Sequence, residues 1–201
     1  MKQPANTERP RNVRTITMTA LLSAVAFLLA FLEFPVPLSP SFARMDLSDL
    51  PALIGAFAFG PVCGVLIELI KNLLQLTTTA TGGVGELANF LMGASFVFTA
   101  GLIYKLHKTK TAAWIAGIVG SIVMGIVAAL TNYYILLPLF EQFMPLEQLI
   151  ESFEEYIPFI YSKKDIVLYN AFPFNLLKGL VITVVTMVSY KRLRPILKGR
   201  D

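Results

Sequence analysis

A chain of 201 residues with 55% apolar and only 15% charged side chains does not describe a soluble globular domain, where about 25% of residues are charged. The formal net charge of +4 comes from positives gathered at the ends of apolar runs rather than on one aromatic-interleaved face, which argues against nucleic-acid binding. One cysteine and one histidine leave no internal disulfide, no thiolate metal site, and no Ser-His-Asp or Cys-His catalysis unless His107 serves.

The chain opens on Lys2, Arg9, Arg11 and Arg14, followed by an apolar run over 16–34. That order imitates a signal peptide. The run is longer than a usual h-region, and no A-x-A-like site precedes a polar mature domain, so it reads as a retained first helix. Within it, Ala20 and Ala24, and again Ala26 and Ala30, form small-xxx-small patterns that let another helix approach closely. Residues 35–49, PVPLSPSFARMDLSD, follow; their prolines forbid a long helix and favour extended or turn backbone. Apolar runs 50–59 and 61–76 meet at Phe59-Gly60-Pro61, a tight turn. Cys63 reads as a small buried residue. Glu68 and Lys71 are an i, i+3 pair with Asn72 adjacent, and mutual neutralisation is the simplest account of two charges there.

The segment 77–86, TTTATGGVGE, carries three glycines that permit positive φ and close approach to a bound molecule. A fourth span over 87–104 leads to KLHKTK, which makes His107 a solvated loop residue among lysines. The fifth run, 112–139, contains Asn132 in ALTNYYILLPL. An acidic, aromatic segment over 141–165 includes EQLIESFEEYI, which predicts a short amphipathic helix at the membrane surface. The last run, 166–190, holds Pro173, Asn175 and Lys178; Pro173 can open or kink its first turn.

Long apolar runs of this kind predict an all-α, polytopic membrane protein. The basic clusters at the two ends and after the fourth run take twelve of the 17 basic residues. Cytoplasmic loops collect Lys and Arg, so six transmembrane helices with both termini cytoplasmic satisfy all three clusters. The division is a basic cytoplasmic tail at 1–14, a six-helix membrane domain at 15–190 and a second basic tail at 191–201. The chain carries no phosphate loop for ATP hydrolysis and no metal-ligand cluster.

Lysine near the middle of a membrane helix costs about 2.5–3.5 kcal/mol on insertion scales, so Lys71 and Lys178 demand a partner or a role. Asn175 and Lys178 are three apart and share a helical face. With Asn132 at similar depth they offer amide and ammonium donors and amide acceptors, a set that can read the edge of a planar heterocycle, and the incoming ring is expected to compensate the burial of Lys178. Tyr133, Tyr134, Phe172 and Phe174 could supply flat apolar faces. The competing account is polar glue between helices, at about 0.6 kcal/mol per contact.

At these residues the sequence resembles the riboflavin-specific S components of energy-coupling-factor (ECF) transporters. The segments that carry the likeness are MDLSDLPALIGAFAFGPVCGVLIELIKNLL, GGVGELANFLMGASF, LTNYYILLPL and PFNLLKG. The resemblance implies a six-helix cell-membrane protein without enzymatic activity or cofactor, which captures riboflavin as a transported ligand from outside. Its implied partners are a transmembrane scaffold subunit and two cytoplasmic ATPase subunits. Carried over by position, Asn132, Asn175 and Lys178 match the residues that hold the flavin ring, and Phe42, Ala43, Met45 and Asp46 fall in the loop that covers it. Ala20 and Ala24 match the motif facing the scaffold subunit. Loop backbone near Phe42–Met45 and Thr81–Gly85 is expected to meet the ribityl hydroxyls. The acidic segment 141–165 departs from the family pattern in length and charge. Alternatives are an S component for another vitamin such as pantothenate, thiamine or folate, a small membrane enzyme, and a purely structural helical subunit.

Overall fold

The structure is a computed structural model and describes residues 8–35, 44–79 and 81–198. Every apolar run became helix. The elements are α1 (Glu8–Ala30), α2 (Asp49–Phe59), α3 (Pro61–Gln75), α4 (Val84–Leu106), α5 (Lys110–Thr131), α6 (Leu137–Phe140), α7 (Leu146–Glu154), α8 (Lys163–Ile166) and α9 (Phe172–Lys198). Among the described residues the one departure from all-helical structure is a two-residue antiparallel ladder, β1 (Phe34–Pro35) with β2 (Arg44–Met45), pairing Phe34 with Met45.

Four helical stretches are long and apolar enough to cross a membrane: Val13–Ala30, Val84–Leu106, Lys110–Phe140 and Lys163–Ser189. Of the other two expected spans, α2 has 11 residues and α3 has 15. At ~1.5 Å per residue these reach about 17 and 22 Å, short of a hydrocarbon core about 30 Å thick. They are separated at Gly60, whose φ of 105° only glycine adopts freely, with Pro61 starting the next helix where no N–H is needed. Cys63 is buried, as its neighbours suggested, and its sulfur lies 3.1 Å from the Thr19 hydroxyl. His107 is exposed in the short turn between α4 and α5.

The core is built from small side chains. Ala26, Ala52, Ala56, Ala100, Ala113 and Ala116 are buried with Leu53, Ile67, Phe96, Val97 and Met124. Many large aliphatic side chains face outward instead, among them Ile16, Leu66, Leu73, Leu102, Ile126 and Val188. This inside-out distribution suits a lipid surround, where apolar exposure costs nothing and close backbone approach provides the packing energy. The α5–α9 seam shows the principle from both sides. A Cβ on Gly179 would sit 2.6 Å from the Ser121 hydroxyl, and one on Gly117 would press into Thr183. Gly117→Val should therefore lower the thermal unfolding midpoint in detergent, by overpacking worth about 1–3 kcal/mol. Adding Thr183→Ala should recover part of the loss.

Two of the long helices contain a wide turn. Leu137 donates its N–H to the Asn132 carbonyl, and Phe172 donates to that of Val167, each five residues back. These π-turns span Asn132–Leu136 and Val167–Ala171, pack against each other, and leave α5–α6 and α8–α9 otherwise continuous. Both have the same cause. Pro138 and Pro173 each stand two residues beyond their π-turn. A proline lacks the N–H for the carbonyl four residues back and its ring crowds that carbonyl; the turn widens to relieve both. The expectation that Pro173 would open its first turn is met in this form.

The segment after Phe140 corrects one expectation. Helix α7 is amphipathic, yet its apolar face is not left for the membrane. Leu149 and Phe153 are buried against Leu137, Ile160 and Ile166 in a small separate core, and Lys163 pairs with Glu141. An apolar stripe buries against the nearest apolar surface, and here the ends of the neighbouring helices supply it.

Candidate functional site

Helix α2 starts at Asp49, and Asp46 stands three residues earlier, just after the ladder. The two carboxylates flank the Lys178 ammonium, which comes from the second turn of α9. Lys178 Nζ lies 3.2 Å from Asp46 Oδ2 and 3.2 Å from Asp49 Oδ2. Asp49 is fully buried, and the Lys178 side chain is only 5% exposed. This corrects the expectation that an incoming ring compensates the burial of Lys178: the chain's own carboxylates do so. Asp46 is itself fixed, because its other oxygen accepts the Ser48 backbone N–H at 2.7 Å.

The second buried lysine joins the same cluster. Lys71 Nζ lies 2.6 Å from Asp49 Oδ1 and 2.6 Å from Glu68 Oε2, and donates to the Ser48 hydroxyl at 3.1 Å. The neutralising Glu68–Lys71 pair expected from their i, i+3 spacing is present. Asp49, the acid that bridges both lysines, is the residue that sequence reasoning missed. Its signal was faint: two acids three apart in MDLSD, at the mouth of an apolar helix, read equally well as favourable charge at a helix N-terminus.

The two asparagines lie on packed neighbouring helices, each beside a π-turn. Asn132 is half-buried, opens the first π-turn and donates its amide to the Ala128 carbonyl at 2.8 Å. Asn175 is buried and donates to the Ala171 carbonyl, the last residue of the second π-turn, at 2.9 Å. Such turns recur at functional sites because they leave backbone groups outside the regular ladder. Tyr133 and Tyr134 stack edge-to-face at 5.0 Å, and the Phe172 ring packs over Gly125.

The remaining candidates separate. Met45 is buried within the ladder beside Asp46. Phe42 and Ala43 lie outside the described residues. Thr81 and Gly85 are together, but they close the start of α4: Thr81 Oγ1 accepts the Gly85 N–H at 3.0 Å and donates to Glu86 at 3.1 Å. Of the three glycines in that segment, Gly82 and Gly83 take positive φ, while Gly85 is helical. Ala20 and Ala24 face outward, whereas Ala26 and Ala30 are buried, so the two small-residue frames serve different surfaces. Ala20 borders a groove of about 390 Å³ between α1 and α3, with Ile16, Val62 and Leu66 on its walls. Among the described residues no cluster of His, Cys, Asp and Glu could hold a metal ion.

Residues 14–190 match the family model described as "ECF transporter, substrate-specific component". The chain is 41% identical to the riboflavin transporter RibU of Staphylococcus aureus (strain TCH60), over 94% of each chain. It is 35% identical to the riboflavin transporter FmnP of Bacillus subtilis (strain 168), over 91% of this chain and 93% of that one. A solved structure of the S component of a bacterial ECF transporter superposes with a TM-score of 0.75 at 38% identity, covering 94% of this chain and 99% of the other.

Proposed function

The chain belongs to the substrate-specific components of ECF transporters, and we propose that it captures riboflavin outside the cell at the site formed by Lys178, Asn175 and Asn132. It is a transporter component and not an enzyme. The observation that carries the reading is the Lys178 ammonium itself. It has three donors; of its two carboxylate contacts at 3.2 Å only that to Asp46 is a hydrogen bond, which leaves donors for a ligand carbonyl. Each asparagine spends one amide N–H on its own helix and keeps its carbonyl oxygen and second N–H. The flavin dione presents the complementary alternation of carbonyl acceptors and ring N–H. The relatives named for riboflavin transport, similar over nearly their whole length, support that ligand above other vitamins.

The flavin ring lies between the asparagines and the segment 42–46, with Phe42, Ala43, Met45 and Asp46 covering it. Thr81 and Gly85, through the backbone at the start of α4, meet the ribityl tail. The membrane domain covers 15–190 as six spans in the cell membrane, α2 and α3 completing the set as short helices, and the basic tails at 1–14 and 191–201 are cytoplasmic. The outward face of Ala20 and Ala24 receives a transmembrane scaffold subunit, which works with two cytoplasmic ATPase subunits to release the vitamin inside.

The test is Asn175→Ala. Losing one neutral hydrogen bond costs about 0.5–1.5 kcal/mol, more if a buried partner is stranded. Riboflavin quenching titrations of the folded variant should show affinity weakened several-fold. An unchanged titration would remove Asn175 from the site.

A further inference from the structure

We propose that Lys71, held by Glu68, is a positioning residue for the ligand site: by engaging Asp49 it keeps the Lys178 ammonium available to the flavin. This rests on Lys178 being a ligand contact.

The two lysines differ in how fully they are satisfied. The Lys71 ammonium has three near partners in a place with no exposure: it hydrogen-bonds Asp49 at 2.6 Å and Ser48 at 3.1 Å and is ion-paired with Glu68 at 2.6 Å. Lys178 has two carboxylate neighbours, both at 3.2 Å. Charge-assisted N–H···O bonds settle at about 2.7–2.9 Å, so the first ammonium is closely held and the second is not. Asp49 is the shared member, with one oxygen on each lysine. Formally, three carboxylates face two ammoniums. An Asp49 relieved of Lys71 would draw Lys178 toward itself and away from the ligand. Glu68 keeps Lys71 in place, and Glu68 is in turn confined by α4, where a Cβ on Gly93 would come within 2.5 Å of its carboxylate. The chain of contacts thus runs α4–α3–α2–α9 and ends at the ligand.

The test removes one positive and one negative charge together. Lys71→Met with Glu68→Gln leaves the same formal charge among Asp46, Asp49 and Lys178. Riboflavin affinity of the purified, folded double variant should fall about tenfold or more, the scale of one charge-assisted bond. The same two changes made on top of Lys178→Met with Asp49→Asn should leave the residual affinity within about twofold, because both ends of the contact are already gone. Gly93→Ala, which displaces Glu68 without removing a charge, gives a second measurement if the double variant does not fold, and should weaken binding about threefold or more. Parent-like affinity in the folded double variant, or an equal loss in both backgrounds, would overturn the proposal. If the folded double variant has not yielded, parent-like affinity in Gly93→Ala overturns it equally. Should Asn175→Ala and Lys178→Met also leave binding intact, the ligand site itself is misassigned; if they weaken it and the double variant does not, only the positioning role fails.

Discussion

Lys178→Met should weaken riboflavin binding about tenfold to a hundredfold, the scale of one charge-assisted bond, and destabilise the protein by about 3–5 kcal/mol, the range for breaking one side of a buried ion pair. The cause is what stays behind. Asp46 and Asp49 keep their charges and lose the ammonium between them, and Lys71 is already committed. Combining Lys178→Met with Asp46→Asn returns the cluster to its original formal charge. Thermal unfolding in detergent should then recover most of the lost stability while the flavin affinity stays as weak as in the single variant. If the combined variant binds riboflavin normally, the ammonium is purely structural.

A second large effect is expected at the opposite functional surface. Ala20→Leu with Ala24→Leu should reduce riboflavin uptake to background in cells that carry the partner subunits, yet leave the affinity of the isolated protein unchanged. Both alanines are exposed, and Ala20 edges the groove between α1 and α3. Two leucines there block close approach by another helix, which depends on small residues. Ala26→Leu is the contrasting control. Ala26 is buried in the core, so enlarging it should damage folding and binding together. Normal uptake by the Ala20/Ala24 variant would show that the scaffold subunit meets another face.

The parts of this molecule legible in its sequence are those governed by local pattern. Apolar runs specify helices, the i, i+3 spacing of Glu68 and Lys71 specifies their pair, and a lysine in such a run marks the buried charge cluster. The alanine frames show the limit. Ala20/Ala24 and Ala26/Ala30 have the same spacing, and only the position of α2 and α3 decides which pair is covered. The bridging role of Asp49 was also out of reach, because its two lysines are distant in sequence and meet it through tertiary packing. The α7 stripe was read correctly as amphipathic, but a stripe does not say whether lipid or protein covers it. The π-turns did leave a trace, since NYYILLP and VLYNAFP place proline at the same offset. An apolar pattern alone does not separate a π-turn from the α-helix around it.

The paired wide turns also decouple two halves of the molecule. An α-helix advances about 100° per residue, so the extra residue in each turn offsets everything above it by roughly that angle relative to an unbroken helix. The glycine seats at 117 and 179 lie on one side of the turns, while the angular setting of α6 and α8 on the other side is adjusted independently. Deleting one residue between 132 and 136 would swing Leu137 and the rest of α6 to a new bearing without touching that seam. The small core that α6, α7 and α8 share can therefore be re-aimed by chain length as well as by side-chain identity.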